Sequence, residues 1–196
     1  VTEQYKAADE FDISAHNAQN QDNTADFASD ALELQAVEVE IEKIADRQRQ
    51  ITAKVKISRS PEIVWKLLTD YEALADFIPN LAKSRLLEHP QGGIRLEQVG
   101  SQRLLNFNFC ARVVLDLQEH FPKEITFQMI EGDLKEFSGS WQLQPCSVAN
   151  QPGTNLCYSI FVHPKRIMPI GVIENRLSHD LRMNLFAIQQ RVETLY

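Results

Sequence analysis

Glycine and cysteine are scarce in this chain of 196 residues, with seven of the first and three of the second. The glycines form no phosphate-cradling loop, and Gly139-Ser140 lacks the flanking pattern of a nucleophile elbow, so nucleotide binding and serine-hydrolase chemistry have no motif here. Cys110, Cys146 and Cys157 make no Cys-x-x-Cys pair and no metal-ligand spacing. Cys146 and Cys157 are candidates to face each other across a hairpin; three buried thiols in a reducing compartment is the favoured alternative. The five histidines, His16, His89, His120, His163 and His179, never stand at i and i+4 on a predicted helix, which removes the commonest helical zinc pattern. No metal and no cofactor is expected. No apolar run approaches the ~18–20 residues needed to span a bilayer. No basic segment followed by an apolar core opens the sequence, so no signal peptide is expected and the expected location is cytoplasmic.

Positive charge is almost missing from one end. Residues 1–42 carry eleven acidic side chains and one basic, a net −10, whereas residues 43–196 carry a net +3, for −7 overall. Phosphate binding needs clustered Lys and Arg, so DNA is not an expected partner. Residues 1–33 are rich in Ala, Asp, Gln and Asn without a sustained period, and read as an acidic arm, flexible or loosely docked. Residues 34–196 read as one domain.

What is present is organised by the last stretch. Ile170 to Tyr196 follows Pro164 and Pro169 and reads as one long helix. Ile170, Ile173, Leu177, Leu181, Leu185 and Ile188, continued by Val192 and Leu195, fall within an arc of roughly 120°. Glu174 and Asn184 lie inside that arc, and either sit at its edge or turn polar groups into a cavity. Met183, Phe186 and Val172 form a second patch that another segment, or another subunit of an oligomer, would cover.

The rest alternates. Val37, Val39 and Ile41 interleave with glutamates, and Ile51, Ala53, Val55 and Ile57 with polar residues, as half-buried strands do. Ser60-Pro61 starts a short helix carrying Ile63, Val64, Trp65, Leu67 and Leu68, with Ser as N-cap and Pro at the first helical position. Asp70 caps a second short helix, Tyr71 to about Phe77, which Pro79 ends. Strand patterns follow over 81–89, 94–103, 107–118, 125–129 and 137–143, then a longer loop from Pro145 to Thr154 and a last strand through Leu156, Tyr158, Ile160 and Val162. A helix with one broad apolar face after such a meander predicts an α+β fold, the helix lying across a curved antiparallel sheet.

This element order, with Asp70-Tyr71-Glu72, Phe77-Ile78-Pro79-Asn80, Gly139-Ser140-Trp141 and the strand Thr154 to Val162, resembles the polyketide cyclase/dehydrase branch of the START-like (Bet v 1-like, SRPBCC) superfamily. Within it the chain is most similar to the group holding the coenzyme Q-binding START-domain proteins and the ribosome-association toxin. The resemblance covers roughly residues 34–196 and implies a helix-grip fold enclosing an apolar cavity for a lipid, quinone, isoprenoid, sterol or polyketide. Alternation assigns Phe107, Phe109, Ala111, Val113 and Phe127 to the cavity face, with Trp141 and Tyr158. Leu177, Leu181 and Glu174 join them from the helix, and Trp65, Tyr71 and Phe77 form the mouth.

Catalysis is the lesser reading. Cyclase chemistry would need cavity acid–base groups, and the candidates are Glu97, Arg103, Tyr158 and Glu174, with no catalytic residue assigned. Carriage of a hydrophobic small molecule comes first. A cyclase/dehydratase-like enzyme and a protein-interaction component, ribosome-associated or otherwise, are the alternatives.

Overall fold

The computed structural model describes residues 36–196, leaving out 105–106 and giving the backbone alone for 101–110. The expectation of an acidic arm, flexible or loosely docked, lies outside the described residues.

The strands are β1 (Glu38–Ala45), β2 (Gln48–Ile57), β3 (Leu81–Leu87), β4 (Ile94–Leu104), β5 (Phe107–His120), β6 (Glu124–Gly132), β7 (Glu136–Val148) and β8 (Gln151–His163). Among the described residues the helices are α1 (Pro61–Leu68) and α2 (Ile170–Leu195), with one 3-10 turn at Ala73–Asp76. Among the described residues the eight strands form a single antiparallel sheet in the order β1-β2-β8-β7-β6-β5-β4-β3. The first hairpin therefore closes onto the last strand, and the meander β3 to β8 fills the remainder.

Period-2 patterning decides which face each strand buries. Ile51, Ala53, Val55 and Ile57 of β2 are buried, and Leu156, Ile160 and Val162 of β8 join them. α2 packs chiefly on β2, with β1 and α1 beside it. Leu181, Leu185, Ile188 and Val192 are its buried residues, at the helical spacing of the predicted arc. The remainder of the arc is not uniform: Ile170, Ile173 and Leu177 are half-buried and Leu195 is exposed. The C-terminal half of α2 thus closes on the sheet, while its N-terminal half stands over more open space. Of the second patch, Phe186 packs against the core and Val172 is exposed.

Three local expectations are corrected. The second short helix is a single 3-10 turn, starting two residues later than the sequence predicts, with Ala73 N–H donating to Asp70 O at 3.1 Å. No long loop spans Pro145 to Thr154. β7 and β8 pair from Glu136↔His163 to Val148↔Gln151, closed by Ala149 and Asn150 at φ +48° and +63°, the two-residue turn with both φ positive that suits a hairpin's twist. Pro145 and Pro152 are tolerated because β6 pairing has ended at Gln142 and β2 pairing at Thr154, so neither removes a bond to an outer neighbour. Finally, Cys146 lies opposite Gly153 and Cys157 opposite Gln142; the two do not meet, and both are free thiols.

Candidate functional site

Between α2 and the concave face of the sheet lies a cavity of about 220 Å³. Its floor is made by alternate residues of the central strands: Ala111, Val113, Leu115 and Leu117 of β5, with Ile125 and Phe127 of β6. Phe137 and Trp141 of β7 and Tyr158 and Ile160 of β8 form one wall. Leu177, Asp180, Leu181 and Asn184 of α2 form the roof, and Tyr71, Leu74 and Ile78-Pro79-Asn80 close the remaining side.

The aromatic wall is ordered by register. Trp141 and Tyr158 are direct cross-strand partners, and their rings stack with centroids 3.6 Å apart and planes 3° from parallel. Phe127 leans on both Phe137 and Tyr158, at 5.5 and 6.2 Å. Gly139 makes this possible. A Cβ there would stand 2.1 Å from the Ser159 carbonyl oxygen and 2.7 Å from Phe127 Cζ, so the bare backbone is what lets the Phe127 ring cross β7. Phe137, Trp141 and Tyr158 are half-buried and line the cavity.

The segment 70–80 is a docked strap. Ser84 Oγ donates to the Tyr71 carbonyl at 2.6 Å, Leu86 N–H donates to Glu72 Oε1 at 3.2 Å, and Tyr71 Oη donates to Glu119 Oε1 at 2.6 Å. At its far end Asn80, with φ +63°, donates from Nδ2 to Asp180 Oδ1 at 3.4 Å, tying strap to helix.

The polar groups on the cavity lining are few. Burial pushes the Tyr158 phenol well above its ordinary value. Burial also raises Tyr71, helped by its bond to the Glu119 carboxylate. Both phenols stay protonated at neutral pH and act as hydrogen-bond groups, not as bases. Gln98 reaches the lining from β4. The Asn184 Oδ1 is buried and has no hydrogen-bond partner among the described residues.

The other residues singled out from sequence lie elsewhere. Trp65 is buried in α1, edge-on to Phe121 at 5.4 Å, off the cavity lining. Phe77 is half-buried under the Arg191 guanidinium, 5.7 Å from its ring centroid, and also off the lining. The side chains of Phe107, Phe109 and Arg103 lie outside the described residues. Glu174 does not turn into the cavity; it accepts from Arg49 Nε at 2.5 Å, pinning the start of α2 to β2. Glu97 is on the opposite face of β4 from Leu96 and Gln98, which line the cavity. There it meets Lys83 at 2.7 Å, Arg85 at 3.0 Å and Arg112 at 2.7 Å. Hydrogen bonds from Lys83 first and Arg112 second bring its carboxyl down to about 2. It is the centre of an ion cluster on the convex face, and sequence alternation alone could not say which face of β4 looks inward. Asp180 and Leu74 are lining residues that the sequence reading missed; Asp180 falls at the rim of the apolar arc, and Leu74 sits in a strap whose conformation was misjudged.

A curved antiparallel sheet gripping one long C-terminal helix around an apolar cavity is the helix-grip architecture of START-like proteins. The family model for polyketide cyclase/dehydrase and lipid transport matches residues 57–186, and the chain belongs to that family. Among solved structures, a START superfamily protein from Mycobacterium smegmatis superposes with a TM-score of 0.62 at 16% identity, covering 75% of this chain and 99% of that one. The Zhui aromatase/cyclase from Streptomyces sp. R1128 gives 0.60 at 17% identity, covering 74% and 94%. A STAR-related lipid transfer protein from Xanthomonas axonopodis gives 0.57 at 16% identity, covering 79% and 98%. At these identities the likeness is one of fold. No curated protein sequence matches significantly. Among the described residues no helix is long and apolar enough to cross a membrane.

Proposed function

We propose that this protein binds and carries a hydrophobic or amphipathic small molecule between α2 and the sheet, without transforming it. The observation that carries the reading is the aromatic wall: Trp141 and Tyr158 stack against each other, and with Phe137 they line a cavity of about 220 Å³ whose lining is mainly apolar. Evolved cores are close-packed, so a void of this size beside large rings is a ligand site before it is a packing fault. The volume lies below the roughly 300–1,000 Å³ of drug-sized pockets, which favours a compact ligand or one short segment of a longer chain. Membership in a family of cyclases and lipid-transport proteins supports the same ligand chemistry; quinones, isoprenoids, lipids and polyketide fragments are the candidates.

Carriage is favoured over cyclase chemistry by the titratable groups on the described lining, which are two protonated phenols and Asp180. A cyclase would need a base poised near neutral pH, and Glu97 and Glu174 are engaged elsewhere. The test is mass spectrometry of an organic extract from the natively purified protein, followed by titration of the extracted class with Trp141 fluorescence as readout. Saturable quenching is expected. Conversion of a bound ketide to a cyclised product would replace carriage with catalysis, and a cavity that takes up no ligand class would leave a protein-interaction role as the reading to pursue.

A further inference from the structure

The roof of the cavity carries an amide with an unmet bond. Asn184 points from the buried stripe of α2, one turn beyond Asp180 and between Leu181 and Leu185, and its Oδ1 is sealed from solvent with no partner among the described residues. An unsatisfied amide oxygen in an apolar site costs on the order of 1–3 kcal/mol, so an apolar residue would make a more stable empty protein. Asn184 lines the cavity, so turning the amide about its last side-chain bond would bring it to a bound molecule that supplies the partner. A side-chain amide can offer either its carbonyl or its N–H₂ after rotation about the last side-chain bond, so it meets an alcohol or a ketone equally well.

Charge narrows the ligand further. Among the described lining residues the one charged side chain is Asp180, and no Lys, Arg or His lines the cavity. Arg176 sits on the neighbouring turn, 3.4 Å from Asp180, and is engaged with that carboxylate. Arg49, at the start of α2, is engaged by Glu174. A ligand carboxylate would therefore enter low-dielectric surroundings with no free counter-charge among the described lining residues.

We infer that the cavity selects a neutral ligand with a single oxygen function, a ketone or an alcohol, held by the Asn184 amide, and rejects the corresponding carboxylate. This rests on the carrier reading and names the ligand class within it.

The experiment compares octane, octanol, octan-2-one and octanoate at pH 8, titrated into the full chain with Trp141 fluorescence as readout. Octanol and octan-2-one should bind about fivefold to tenfold more tightly than octane, the strength of one net hydrogen bond, and octanoate more weakly than octane. In Asn184→Leu the preference for oxygen should vanish while octane binding is kept, and the unliganded variant should melt higher than the wild type. Asn184→Ala serves if the leucine variant does not fold. Octanoate binding as tightly as octanol, or a preference that survives at both variants, overturns the inference. Equal binding of octane and octanol overturns it and leaves carriage standing, whereas no binding by any of the four removes both.

Discussion

At the scale of single residues, the cavity depends on one missing methyl group. Ordinarily an alanine in place of glycine steadies a strand by roughly 0.5–1 kcal/mol. At Gly139 the new Cβ would meet the Ser159 carbonyl and the Phe127 ring at once, and the backbone cannot yield as a flexible side chain would. Gly139→Ala should therefore destabilise, by about 1–3 kcal/mol, in urea melts, with ligand binding weakened as Phe127 is displaced. A variant as stable as the wild type would mean that the wall repacks freely.

Glu97 makes a different residue-scale prediction. Only 6% of it is exposed, because three basic side chains cover it. Its carboxyl is lowered from 4.5 to about 2. A folded-state value below the unfolded one gives stability that is present above the unfolded value and lost as pH falls through the folded one. The wild type should thus lose stability between pH 4.5 and 2 in part through Glu97, and Glu97→Gln should flatten that limb of the melting-temperature profile. The sequence could not reveal this role, since Lys83, Arg85 and Arg112 become neighbours of Glu97 only through β3–β4–β5 pairing. Helical phase places Asn184 inside the apolar arc, but it does the same for Glu174, which pairs with Arg49 instead of lining the cavity, so phase alone left the choice open.

Among elements, α2 was the most readable and the tight connections the least. A period of 3.6 sustained over seven turns leaves little ambiguity about which face is buried. The β7–β8 connection carried two prolines and an Ala149-Asn150 turn instead of Asn-Gly, so the local signal read as loop while tertiary pairing made a hairpin. Arg182 marks another limit: it lies outside the arc, yet its guanidinium donates to the Val37 carbonyl at 2.7 Å, so the polar face of α2 is also engaged. The two halves of α2 should respond differently to truncation. Leu185 is fully buried against the sheet, and Leu185→Ala should cost about 2–5 kcal/mol. Leu177 is half-buried and borders space that is already empty, so Leu177→Ala should cost clearly less and widen the cavity. Equal losses in chemical denaturation would place both side chains in solid core.

For the whole molecule, cavity and stability are coupled. A ligand that binds the folded state alone stabilises it by about 2.7 kcal/mol at a hundredfold excess over Kd, which for a domain of this size raises the melting temperature by roughly 5–10 °C. Val113 offers a way to separate that effect from general packing. It lies on the cavity floor, half-buried, on β5 across the space from α2. Val113→Trp should place the indole in the void, where it gains contacts that valine lacks, so the unliganded variant should melt at or above the wild-type temperature. The same indole excludes the ligand, so the ligand-induced rise should disappear. A variant that melts lower and still gains several degrees from ligand would show that the molecule binds outside the cavity, and the site would then have to be sought elsewhere on the surface.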